Sequence, residues 1–76
     1  MSLTVLIPGA GGPAAVSTMK SLRMAGFSGR IVSTDANSLS AGFYLSDSFR
    51  VVPKANDPAF YAAVTQLIAE ERVDVI

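Results

Sequence analysis

Gly9-Ala10-Gly11-Gly12-Pro13-Ala14 gathers glycines between a short aliphatic run and a stretch with helical spacing. In that setting glycine permits a tight turn and close approach of backbone to a guest. The unpaired N–H groups and positive dipole end of the following helix attract an anion. The pattern G-x-G-x-x-A is that of a phosphate-binding crook, whose last residue, here Ala14, lets helix and strand approach closely. Asp35 follows about 20 residues later, where a carboxylate accepts hydrogen bonds from ribose hydroxyls. Gly9, Gly11, Gly12 and Asp35 are therefore the candidate binding residues. Pro13 deletes an N–H at the mouth of the loop, which favours a smaller anion, or none, over a pyrophosphate. The plainer alternative makes the glycines a sharp strand-to-helix turn and Asp35 a turn or helix cap.

Little other chemistry is available. The chain has neither cysteine nor histidine, which removes disulfides, thiol catalysis, thiolate zinc sites and the commonest metal ligand and general base. No catalytic residue and no metal-ligating set is expected. Six basic and six acidic side chains cancel without forming runs, so the electrostatic footprint of a nucleic-acid or membrane-surface binder is missing. Small molecules, a carboxylate substrate or a nucleotide, and protein neighbours are the expected partners. Met1-Ser2-Leu3-Thr4 carries no charged leader, and the apolar run after it is too short for a signal peptide or membrane span; a cytoplasmic address is expected.

The elements that must position these residues follow from periodicity. Thr4-Val5-Leu6-Ile7 reads as a buried strand of a parallel sheet, closed by Pro8-Gly9. Pro13 suits the first helical position, and a helix is expected over residues 13–25, with Ala15, Met19, Leu22 and Gly26 on one face and Gly26 as a left-handed C-cap. Arg30-Ile31-Val32-Ser33-Thr34 reads as a second strand ending at Asp35. Between Leu39 and Ser48 the pattern predicts one or two helical turns interrupted by Gly42, with Phe43 and Tyr44 as packing residues. Phe49-Arg50-Val51-Val52 is a third strand. Asn56-Asp57-Pro58 then caps a second long helix carrying Phe60, Val64, Leu67 and Ile68, which ends in a solvated Glu70-Glu71-Arg72. Val73-Asp74-Val75-Ile76 opens a fourth strand.

Strands alternating with helices give an α/β class: a Rossmann-like, three-layer half-domain with a parallel sheet of order 3-2-1-4 and right-handed crossovers. One unit spans residues 1–76, with no repeat or linker. A chain that stops inside an apolar strand is expected to be truncated, its sheet left open at the carboxyl-terminal end.

Two stretches taken together are more specific than the loop alone. Val5-Leu6-Ile7-Pro8-Gly9-Ala10-Gly11-Gly12-Pro13-Ala14 and Ser40-Ala41-Gly42-Phe43-Tyr44-Leu45-Ser46-Asp47, with Asp35, Val51-Val52-Pro53, Asp57-Pro58 and the closing Val73-Asp74-Val75-Ile76, make the chain resemble the amino-terminal domain that precedes the ATP-grasp fold in proteins similar to the carbamoyl-phosphate synthase large subunit. The resemblance implies a parent enzyme that uses ATP and Mg2+ to activate a carboxylate as an acyl phosphate for attack by an amine. It also implies that the phosphate-holding lysines and magnesium ligands lie in an ATP-grasp domain absent from this chain. Gly9, Gly11, Gly12 and Asp35 would face the substrate side of the active-site cleft as binding groups. This half-domain would not be active alone.

Two competing readings stand beside it. The loop and Asp35 also suit the cofactor half of an NAD(P)-dependent reductase. An open sheet edge also suits a non-catalytic module that associates with another chain, including a second copy of itself.

Overall fold

A computed structural model of the chain describes residues 3–76. Three parallel strands, β1 (Thr4–Pro8), β2 (Arg30–Asp35) and β3 (Ser48–Val51), form a sheet in which β2 lies between the other two. Val5 stands beside Ile31, and Val32 beside Ser48. On its other side β1 meets Val75 through a parallel bridge to Val5, with the Leu6 N–H donating to the Val75 carbonyl at 2.8 Å. The order is thus the expected 3-2-1-4, the fourth position being held by a single bridge instead of a strand through residues 73–76.

Successive residues of a strand face opposite sides of a sheet, and the chain uses both sides. Ile7 and Ile31 point to one face, where helix α1 (Pro13–Met24) lays Ala15 and Met19 over them with Phe43. Leu6 and Val32 point to the other, against Val52 and Leu67 of helix α2 (Phe60–Glu71). The result is a three-layer α/β half-domain. Met19, Ile31 and Leu67 are among the most deeply buried side chains, each worth roughly 1.5–3 kcal/mol of apolar burial as an upper bound. No helix among the described residues is long and apolar enough to cross a membrane.

Helix α1 follows its sequence signals at both ends. Pro13 occupies its first turn, and Gly26 follows the C-cap with φ +87°. The Phe27 N–H reaches the Leu22 carbonyl and the Gly26 N–H that of Arg23, at 3.0 and 3.1 Å. That pair of bonds is a Schellman motif, sealed by packing of Leu22 and Phe27 against the core. Ala14, expected at the helix–strand contact, is exposed instead; Ala10 and Ala15 are the alanines buried there.

Four further expectations are corrected. Gly42 does not interrupt the middle segment but lies buried inside a 3-10 helix, Ala41–Leu45. Phe43 packs as expected, stacked on Phe49 at 4.5 Å between ring centroids, whereas Tyr44 is 87% exposed. At about three residues per turn, seating Phe43 inward turns its neighbour outward. Helix α2 begins at Phe60 because Asp57 first builds a tighter turn: its side chain accepts the Ala59 N–H and its carbonyl the Phe60 N–H. Finally, the end of α2 is not solvated at Glu71. Its side chain is 9% exposed and bridges Arg30 on β2 and Arg50 on β3, at 2.6 and 3.2 Å. Arg30 and Arg50 come within reach of the last turn of α2, and Arg50 also pairs with Glu70 at 2.6 Å.

Candidate binding cleft

The carboxyl ends of all three strands fall on one edge, where open α/β sheets hold their ligands. There Pro8 ends β1 and Gly9 follows it, Thr34 and Asp35 end β2 with Ala36 next, and Val52 to Ala55 follow β3. Together with Phe60 they line a cleft of about 290 Å³. Its walls are mostly apolar; Asp35 and Lys54 are its only ionisable side chains.

Gly9 and Asp35, two of the four candidate residues, therefore line the cleft. Gly9 takes φ +68°, a left-handed conformation that costs glycine nothing and turns the chain sharply out of β1. Gly11 and Gly12 do not line it. Gly12 is the N-cap of α1, with no side-chain cap, and its N–H closes onto the Gly9 carbonyl at 2.9 Å. Gly11 lies against Asp35, its N–H donating to Asp35 Oδ2 at 2.9 Å. A Cβ on Gly11 would stand 2.6 Å from that oxygen, so this approach of carboxylate to backbone requires a residue without a side chain.

Asp35 is held from several sides. The Ser40 hydroxyl also donates to Oδ2, and the Ala36 N–H donates to Oδ1 at 2.8 Å. The Ser40 hydroxyl, opposed by desolvation and aided by the Ala36 and Gly11 N–H groups, holds the Asp35 carboxyl below the ordinary aspartate range. It is an ionised acceptor at neutral pH.

From Ala10 to Pro13 the loop has no donor to spare. The Ala10 N–H goes to the Thr34 carbonyl at 2.9 Å, Gly11 to Asp35, Gly12 to Gly9, and Pro13 has none. The N–H groups of Ala14, the last residue of the loop, and of Ala15 in the first helical turn have no capping side chain.

The sequence reading missed Lys54, Val52, Pro53 and Phe60 as lining residues. The signal was present: Pro53-Lys54 directly follows a parallel strand, so topology alone carries it to the same edge as Gly9 and Asp35. It also gave no individual role to Ser40 or Asp47, which with Gly42 build the support beneath the loop. Ser40 grips Asp35, the Gly42 N–H donates to the Ala10 carbonyl at 3.0 Å, and Asp47 accepts the Ile31 N–H at 2.7 Å and pairs with Arg23 at 2.5 Å.

A parallel sheet clothed by helices on both faces, with a glycine crook and a cleft beyond its strand ends, defines a Rossmann-like half-domain. The chain matches the PylC-like, N-terminal domain family over residues 5–76 and belongs to it. This is a family of pre-ATP-grasp domains, and it sets the chain in the context of ATP-grasp-type ligases without singling out the carbamoyl-phosphate synthase large subunit. No curated protein matches the chain.

Proposed function

We propose that this chain is the amino-terminal, substrate-side domain of an ATP-dependent carboxylate–amine ligase, of the broader kind that includes carbamoyl-phosphate synthase-like enzymes, and that it has no activity alone. The family match over residues 5–76 carries this reading. The cleft beyond the strand ends gives it a place to act, lined by Gly9, Asp35 and Lys54 among mostly apolar neighbours. These residues bind and orient; they move no bond.

ATP and Mg2+ would supply the acyl-phosphate chemistry from an ATP-grasp domain outside this chain. Among the described residues no three His, Cys, Asp or Glu side chains converge, and the N–H groups of Ala10, Gly11 and Gly12 are engaged within the chain, which leaves a phosphate only the start of α1 to bind. The candidate role of Gly11 and Gly12 is accordingly to shape the wall that Gly9 and Asp35 present. The reductase reading needs the loop for a pyrophosphate, and Pro13, together with the Gly11 N–H given to Asp35 and the Gly12 N–H given to Gly9, leaves the loop few donors for one.

The test is ADP release by the intact protein that carries this chain, measured with candidate carboxylates and amines. Release that requires both co-substrates is expected, with none from the chain by itself. Hydride transfer, or tight NAD(P)H binding by calorimetry, would overturn the reading.

A further inference from the structure

Asp35 stands where a guest anion of the glycine loop would stand. The Gly11 N–H, the Ser40 hydroxyl and the Ala36 N–H all converge on its carboxylate. The Asn37 backbone N–H adds to the donors that hold this carboxyl low, and Asp35 lines the cleft. All of these donors are neutral, so the negative charge is hydrogen-bonded but not paired with a cation. The arginines of the ion pairs are engaged elsewhere, Arg23 with Asp47 and Arg30 and Arg50 with Glu70 and Glu71.

We propose that the glycine loop of this chain is a seat for its own Asp35 and not for phosphate, and that the cleft takes a ligand presenting a primary ammonium to Asp35 and an apolar chain to Val52, Pro53 and Phe60. The inference rests on the substrate-side reading above and assigns the ligand chemistry of that site. An ionised acceptor with an unpaired charge, set against apolar walls, binds a cationic donor more strongly than a neutral one. It repels an anion. Lys54 lines the same cleft and forms no ion pair among the described residues. Its ammonium, sharing the cleft with Asp35, disfavours a second cation there, so removing that charge should favour the ligand.

The experiment is a set of amide NMR titrations of the chain near neutral pH with n-butylammonium, n-butanol and inorganic pyrophosphate as probes. Butylammonium is expected to shift the Gly9, Ala36 and Lys54 amides saturably, binding about tenfold more tightly than butanol because its contact with Asp35 is charge-assisted. Pyrophosphate is expected to leave Gly11, Gly12 and Ala14 unmoved. Asp35→Asn removes the preference for butylammonium, and Lys54→Met strengthens it. If Asp35→Asn does not fold, a pH titration of the unsubstituted chain replaces it, and the Gly11 amide should move with an acidic carboxyl transition. Saturable pyrophosphate shifts in the loop, equal binding of butylammonium and butanol, or a Gly11 amide indifferent to acid each overturn the proposal. None of these readouts depends on turnover, so the proposal can fail while ADP release still supports the ligase reading, and the reverse.

Discussion

The Asp35 carboxylate accepts the Gly11 N–H at 2.9 Å, joining the end of β2 to the turn that leaves β1. Two of the four candidate ligand contacts are thus first of all contacts of each other. Asp35→Ala removes three hydrogen bonds at once, among them the Ser40 and Ala36 donors. Because the site is partly solvated, the expected loss is roughly 1–2 kcal/mol, below the sum for charged hydrogen bonds. Urea unfolding checks this, and an unchanged midpoint would contradict it.

Gly42→Ala is expected to cost more. A Cβ there would collide with the Ala10 carbonyl oxygen and stand 2.7 Å from Met19 Cε. Neither neighbour yields freely, since Met19 is fully buried and the Ala10 carbonyl accepts the Gly42 N–H. Overpacking of this kind costs about 1–3 kcal/mol. A melting temperature within a degree or so of the unsubstituted chain would show that the backbone shifts aside.

Arg72→Gly is expected to stabilise the chain. Arg72 ends α2 with φ 54° and ψ 51°, a left-handed conformation, while the Val73 N–H reaches the Ile68 carbonyl at 3.0 Å. Glycine occupies that position without the steric cost of a Cβ, although it gives up more backbone freedom on folding. The balance is a gain of about 0.5–1 kcal/mol, read as a higher denaturation midpoint. A lower midpoint would mean that the Arg72 side chain contributes contacts that outweigh its backbone strain.

Acid should unfold the chain, and neutral pH should not affect it. Burial pushes the Glu71 carboxyl up, but hydrogen bonds from Arg30 and Ser48 and the charges of Arg30 and Arg50 outweigh it and hold it low. Hydrogen bonds from Arg50 and then Gln66 hold Glu70 low as well, and Ser40 does so for Asp35. Each folded-state value lies below its unfolded counterpart. The stabilisation is therefore fully present above the ordinary carboxylate range and is lost as pH falls through the depressed values. With no histidine in the chain, the melting temperature is expected to stay level from about pH 8 to pH 5 and to fall below about pH 4. Glu71→Gln should make that acid fall shallower. A decline already evident near pH 6 would contradict this.

The strands and helices were legible because each announces itself within its own few residues. Apolar runs mark β1 and β2, Pro13 and Gly26 bracket α1, and spacing alone places Leu67 on the core side of α2. Contacts across the sequence were not legible in that way. Nothing local to Glu71 tells that Arg30 and Arg50 will meet it across the α2 face, and nothing local to Tyr44 tells that Phe43 takes the inward position of a 3-10 turn. Asp35 shows the same limit at the candidate site. Its position at the end of β2 was readable from the run before it, but its partners Gly11 and Ser40 depend on how two other connections fold back to it.

Ala10 has its N–H on the Thr34 carbonyl and its own carbonyl on the Gly42 N–H, and its side chain is fully buried. A segment without regular secondary structure is thus pinned from both flanks, as firmly as a rung of the sheet. A molecule arriving at this entrance meets a wall whose shape was settled when the chain folded, so capture should require little rearrangement of the rim. Association then leans on the match between visitor and surface, with scant ordering entropy left to spend at the moment of contact.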